Sequence, residues 1–256
     1  MNRPYAFDAI ASTYDETFTS VSIAALMRQA VWRRADLAFE ASGFVLEMNC
    51  GTGEDAVHLG ERGIHVFATD ISQEMVRVAT AKAAARNVSA FVDVAQLAWA
   101  DLDTLPEAAF DGVLSDFGGL NCVPDLPAAA AALARRLRPG SPVLLCVMGP
   151  VAVWEWLWFG IQLKPCKAMR RLRRNPQWRG IPLRYPSPSA LSRAFSGGFR
   201  VKRLSAIGLL TPPCLESMAS RWPRLINVLD RCERLLETLP PLAWISDHYL
   251  LELERL

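Results

Sequence analysis

Val45-Leu46-Glu47-Met48-Asn49-Cys50-Gly51-Thr52-Gly53 is the stretch that decides the fold. With Phe44 ahead of it, the run Phe44-Val45-Leu46 has the character of a strand buried on both faces, and a glycine-rich turn follows at once. Glu54 to Arg62 then reads as a helix, ended by Gly63. Glu47 places a carboxylate at the end of the strand. Gly51 and Gly53 let a ligand approach the backbone without Cβ obstruction and allow positive φ. A second strand, His65-Val66-Phe67-Ala68-Thr69, closes on Asp70, 17 residues beyond Gly53. An acid there can accept hydrogen bonds from both hydroxyls of a ribose. Glycines and acid together predict a nucleoside cofactor at the carboxyl ends of a parallel sheet.

Working outward, Ile23 to Leu37 has helical spacing of apolar residues, and Ser72 is a good N-cap for a helix carrying Met75, Val76 and Ala79. Ala90 to Val94, Gly112 to Ser115 and Val143 to Val147 supply three more strands. An alanine-rich helix (Ala128 to Leu137) ends at Arg138-Pro139-Gly140. Strands alternating with helices argue for a parallel sheet covered on both faces. After Val147 the pattern changes. Val151 to Leu163 carries Trp154, Trp156, Trp158 and Phe159, and a basic cluster and a Pro-rich linker around Pro182, Pro186 and Pro188 follow. Ser189 to Phe195 reads as a helix, Arg200 to Leu204 as a strand, Leu215 to Leu239 as one helix and Tyr249 to Leu253 as a final strand. The fold expected is α/β, a doubly wound and mostly parallel seven-stranded sheet with an insert after the fifth strand. The division expected is a helical cap (1–40), a cofactor-binding core (41–149), an aromatic and basic insert (150–198) and C-terminal elements completing the sheet (199–256).

The first loop selects among nucleosides. Gly51-Thr52-Gly53-Glu54-Asp55-Ala56 also fits a loose dinucleotide pattern, but Glu47, Glu54 and Asp55 would repel a pyrophosphate at the helix start. The same acids suit a cofactor carrying a cationic amino group. In this the segment resembles the class I S-adenosylmethionine-dependent methyltransferases, whose first motif is an acid followed by alternating glycines. The resemblance covers about residues 5–148 and the last strand. It implies S-adenosylmethionine as cofactor, with Glu47 near the methionine amino group and Gly51 and Gly53 against the methionine part. It further places Asp70 on the ribose, Ile71 and Met75 beside the adenosine, and Asp101-Leu102 at the adenine amino group. Tyr14 would belong to a segment lidding the cofactor, Asp116 would close the fourth-strand match at the cofactor site, and Phe117 to Asn121 would border the methyl. Asn49 stands where the family carries its first glycine; Asn tolerates left-handed φ better than most residues.

Composition bounds the rest. The chain has 256 residues, 51% hydrophobic and 21% charged, with a formal net charge of +2, which excludes a disordered chain. The six cysteines lie far apart without a CxxC pairing, and no secretory leader is evident, so reduced thiols in a cytoplasmic protein are expected and a metal site is not. The small net charge hides a partition. Residues 1–155 hold 11 basic and 19 acidic side chains, whereas Trp156 to Leu215 holds 12 basic ones, Arg174 among them, and no acid. Such a stretch is either a solvated basic face or the mark of an anionic partner. Val143 to Leu163 is long enough to span a bilayer, but Gly149-Pro150 and Glu155 argue for a strand, a turn and an amphipathic helix instead.

Methyl transfer from a sulfonium is an in-line displacement, so alignment is the protein's main contribution, and a base is needed only for a protic nucleophile. The candidate bases are His248 and Asp116. Asp247 precedes His248, but neighbours on a strand point to opposite faces. Trp154, Glu155 and Trp158 are the candidate acceptor wall, for a small hydrophobic or amphiphilic acceptor. A peripheral contact with anionic membrane through the basic insert also fits. The alternatives are methylation of RNA or DNA, which the absence of an Asn/Asp-Pro-Pro-Tyr/Phe tetrapeptide after the fourth strand disfavours, and a non-catalytic binding module.

Overall fold

The computed structural model describes residues 6–256 except 20, 174, 214, 215 and 220, and except the side chain of Met218. Arg174, Cys214 and Leu215 therefore lie outside the described residues. The strands are β1 (Phe44–Met48), β2 (His65–Asp70), β3 (Val92–Gln96), β4 (Gly112–Ser115), β5 (Pro142–Met148), β6 (Gln177–Trp178), β7 (Ile181–Pro182), β8 (Phe199–Ile207) and β9 (His248–Arg255). The helices are α1 (Ser22–Ala38), α2 (Glu54–Glu61), α3 (Gln73–Ala85), α4 (Leu126–Arg136), α5 (Val153–Ile161), α6 (Pro165–Ala168), α7 (Pro188–Phe195), α8 (Glu216–Ala219) and α9 (Pro223–Leu236).

Seven strands form one sheet in the order β3-β2-β1-β4-β5-β9-β8. β1 to β5 are parallel, and β9 runs antiparallel to both β5 and β8. The expected seven-stranded, mostly parallel, doubly wound sheet is what the chain forms. From β1 the chain winds outward through β2 and β3, then returns to the other side of β1 as β4. Order reverses there, so the loops after β1 and β4 diverge and leave a crevice at the carboxyl edge.

The alternation of β1 sets the two layers. Val45 packs with Val31 and Ala35 of α1 and Val57 of α2 on one face. Leu46 and Met48 pack with Leu133 of α4 and Tyr249 on the other. Each fully buried leucine such as Leu46 contributes about 1.5–3 kcal/mol. Glu47 shares the face of Val45, so its carboxylate turns toward α1 and α2.

Two local readings are corrected. Leu215 to Leu239 is not one helix, because Pro223 restarts the chain as α9 after the short α8. The Pro-rich linker contains a small antiparallel hairpin of β6 with β7. Among the described residues, no helix is long and apolar enough to cross a membrane.

Candidate functional site

The loop after β1 is held in left-handed conformations at three positions, Asn49 (φ 56°), Gly51 (φ 54°) and Gly53 (φ 78°). At Gly53 a Cβ would lie 2.8 Å from the Cβ of Ala79, so the glycine also lets α2 start against α3. Asp70 shapes the loop from across the sheet, its carboxylate accepting from the backbone N–H of Gly51 at 3.0 Å and of Ser72 at 2.8 Å. Ser72 in turn caps α3, accepting from Met75 N at 3.1 Å.

Asn49 ties this loop to the one after β4. Its amide donates to the Asp116 carbonyl at 3.0 Å, and its amide oxygen accepts from the Ser115 hydroxyl at 2.8 Å. The side chain fills space that Gly119 leaves open, for a Cβ on Gly119 would fall 1.9 Å from Asn49 Cγ. Gly119→Ala is therefore expected to lower the melting temperature, by about 1–3 kcal/mol of stability. Adding Asn49→Gly should return much of that loss, as thermal melts of the two single variants and the double variant will show.

The crevice is rich in buried carboxylates. Glu47 at the end of β1, Asp55 on α2 and Asp116 surround Arg28 of α1, which pairs with Asp55, and Asp70 lies on the far side of Glu47. Trp32, one helical turn beyond Arg28, donates to the same Asp55 at 2.6 Å. Glu47 Oε2 and Asp116 Oδ2 are buried without a hydrogen-bond partner among the described residues. Burial, reinforced by the Asp55 carboxylate and opposed by Arg28, pushes Asp116 up to about 8 and Glu47 well above the usual carboxylate range. Asp70 is also raised by burial, against the hydrogen bonds it accepts. Acid outnumbers base here, and the imbalance favours a cationic ligand.

A strap of N-terminal residues closes the crevice. It comprises two turns, Asp8–Thr13 and Asp15–Thr19. Asp8 accepts from the Ser72 hydroxyl at 2.5 Å, and Asp15 accepts from the Thr52 hydroxyl and pairs with Lys82 at 2.7 Å. Beneath the strap, Tyr14, Arg28, Asn49, Gly51, Asp55 and Phe117 line a cavity of about 40 Å³. A larger recess of about 480 Å³ lies at the opposite, amino end of the sheet, between Phe39 and Pro142. Its charged lining groups include the Arg138–Asp111 pair, and it holds no unpartnered buried polar atom among the described residues.

Residues 45–140 match the family model described as a methyltransferase domain. The chain carries a class I S-adenosylmethionine-dependent methyltransferase domain. Demethylmenaquinone methyltransferase of Clavibacter sepedonicus is 32% identical over 145 residues, covering 55% of this chain and 55% of the relative. Nocamycin O-methyltransferase of Saccharothrix syringae is 34% identical over 155 residues, covering 59% of this chain and 52% of the relative. The chain thus spans about half the length of the curated relatives it matches. Among solved structures, the [4+2]-cyclase SpnF superposes with a TM-score of 0.59 at 17% identity, over 98% of this chain and 97% of that one, a likeness of fold.

Around the methyltransferase domain's crevice, Tyr14, Glu47, Asn49, Gly51, Gly53, Asp70 and Asp116 converge. Ile71 is exposed at the end of β2, where Gln96 donates to its carbonyl at 2.9 Å, and Met75 is buried under the strap with Ile10 and Ala11. Asp101 is exposed and Leu102 fully buried on the turn Trp99–Thr104 that follows β3.

The residues beyond the domain are used differently from the expectation. Trp154 donates through its indole N–H to the Leu209 carbonyl, and Trp158 is half-buried. Glu155 does not form an acceptor wall, because it is buried and paired with Arg170 and Arg171. His248 and Asp247 are not both strand residues. Asp247 precedes β9, so its carboxylate can turn back to within 2.7 Å of His248 Nδ1. Arg171 pairs with that carboxylate and holds Asp247 well below the usual range. β9 pairs His248 with Met148, which puts the imidazole at the carboxyl edge, 5.3 Å edge-on to the ring of Phe117. Arg28 stands over the same Phe117 ring, 4.9 Å from its centroid.

Sequence reasoning missed Arg28, Trp32 and Lys82, and saw Arg171 only as one of a basic cluster. The available signal at α1 was the i, i+4 spacing of Arg28 and Trp32.

Proposed function

We propose that the protein transfers a methyl group from S-adenosylmethionine to a small hydrophobic or amphiphilic acceptor. The observation that carries this reading is the surplus of buried carboxylate around Arg28, with Glu47 Oε2 and Asp116 Oδ2 unpartnered. The cofactor's ammonium and sulfonium would complement Glu47 and Asp116, its carboxylate suits Arg28, and its ribose suits Asp70. The names of the curated relatives, which include a menaquinone-precursor and a nocamycin methyltransferase, support a small-molecule acceptor.

The bound cofactor supplies an electrophilic methyl on a leaving sulfide. For a hydroxyl acceptor, His248 would accept the proton that the acceptor oxygen gives up. The Asp247 carboxylate lies 2.7 Å from His248 Nδ1 without completing a hydrogen bond to it, and Nε2 is the nitrogen that would receive the proton. Phe117 separates His248 from Arg28, so acceptor and cofactor sides meet at that ring.

Calorimetry with S-adenosylmethionine tests the reading. Cation binding favours ionised Asp116 and Glu47, so binding releases protons below pH 8. Affinity is expected to rise up to about tenfold per pH unit between pH 6 and 8 for each proton released. Stability follows the opposite sign in the free protein. A carboxyl raised in the folded state stabilises at low pH and loses that contribution as pH climbs from about 4 toward 8. Cofactor should therefore raise the melting temperature more at pH 8.5 than at pH 6. No heat of binding at either pH would remove the enzyme reading.

A further inference from the structure

Arg170 and Arg171 pair with Glu155, Arg200 and Lys202 with Glu254, and Arg203 with Glu237. The acid-free stretch is thus largely neutralised where it meets the body of the protein. It is not neutralised along the outer face of α5 and the turns that follow. Lys164 donates to the Gln162 amide, Arg173 to the Cys166 carbonyl, and Lys167 lies 6.0 Å over the ring of Phe159. None of the three has a carboxylate partner among the described residues.

The same face is apolar to an unusual degree. Trp156, Leu157, Ile161, Leu163, Met169 and Leu172 are all exposed, Leu157 at 51%, Ile161 at 81% and Leu163 at 88%. Leu157 and Ile161 are one helical turn apart on α5, and Leu163 follows the helix directly. Six large apolar side chains within 17 residues, interleaved with unpaired cations, exceed the scattered exposure that a solvated surface normally shows.

We propose that the outer face of α5, α6 and the turn Arg170–Leu172 docks on an anionic membrane surface. Apolar side chains would enter the headgroup boundary, tryptophan would sit at the interface, and lysines would extend to lipid phosphates. Charge selects this occupant. A second copy of the chain would have to bring acid to a face that carries none, whereas an anionic leaflet supplies it continuously. The inner side of the insert is anchored to Asp247 through Arg171, so docking would bring the sheet's carboxyl edge, with His248, toward the bilayer. The inference rests on the proposed function only for its use, which is access to a lipophilic acceptor.

The test is co-sedimentation of the full chain with phosphatidylcholine vesicles, with and without phosphatidylglycerol. The chain is expected to pellet with the anionic vesicles and to be released by salt. Replacing Lys164 and Lys167 by Glu should weaken partitioning by at least about 25-fold, at about fivefold for each charge removed. Leu157→Asp with Ile161→Asp should abolish it. Both pairs are exposed, so their thermal melts and S-adenosylmethionine binding should match those of the unaltered chain. Equal recovery with neutral and anionic vesicles overturns the proposal. So does anionic binding that survives the two aspartates, which would mean simple polyanion attraction. Loss of cofactor binding in the unaltered chain would instead count against the methyltransferase reading and leave the vesicle result standing.

Discussion

Asp70→Asn is expected to weaken S-adenosylmethionine binding by about 10- to 150-fold. The carboxylate performs two tasks at once. Each of its oxygens accepts a backbone N–H, one from Gly51 in the first loop and one from Ser72 at the start of α3. The remaining lone pairs face the crevice, where ribose hydroxyls would donate. An asparagine keeps one acceptor and turns a donor toward one of those N–H groups. The lost ribose contact costs about 1.5–3 kcal/mol of binding, and the buried group left facing a like donor costs about 1–3 kcal/mol of stability in free and bound protein alike. Isothermal titration would measure the loss, and unchanged affinity would show that Asp70 does not touch the cofactor. The fold should survive, because the side chain borders the crevice and not the two apolar layers.

Arg171→Met is the change expected to cost most in stability, about 3–5 kcal/mol, or a fall on the order of 10 °C in melting temperature. The guanidinium donates to the carbonyls of Gly149 and Asp247 and to the carboxylates of Glu155 and Asp247, and all three charged residues are buried. Methionine fills much of the volume but takes the guanidinium from Asp247 and leaves Glu155 with Arg170 alone. The pH dependence identifies the cause. A carboxylate depressed in the folded state stabilises above its unfolded value near 4 and loses that contribution as pH falls through its folded value. In the variant, Asp247 would be raised instead, so acidification from pH 7 toward pH 4.5 should narrow the gap to the unaltered chain. A gap independent of pH would mean that Arg171 acts only by packing.

These two residues also mark what the sequence makes legible. Glu47, Gly51, Gly53 and Asp70 are readable because strand ends and tight turns impose local demands, and the four fall in one strand–loop–helix–strand unit. The seven-strand sheet is readable for the same reason, from apolar runs alternating with helical spacing. Arg28 and Arg171 are not, since their roles are set by partners 27 and 76 residues away that only the folded chain brings together. Alternation sets neighbours on opposite faces only within a strand; Asp247 lies just outside β9, and its carboxylate sits 2.7 Å from His248 Nδ1 without a hydrogen bond. Asn49, by contrast, was read as tolerating left-handed φ and adopts it, while its contact with Gly119 across the crevice had no local signature.

The N-terminal strap gives the site a time scale. Fastened at Ser72, Thr52 and Lys82, it lies over the crevice that the cofactor must enter and leave. Residence of a bound molecule would then depend on how often these polar fastenings open as well as on the contacts beneath. The Asp15–Lys82 fastening is ionic and partly solvated, so release should quicken as salt is added even where equilibrium affinity changes little. Turnover in such an enzyme would be paced by departure of the spent cofactor.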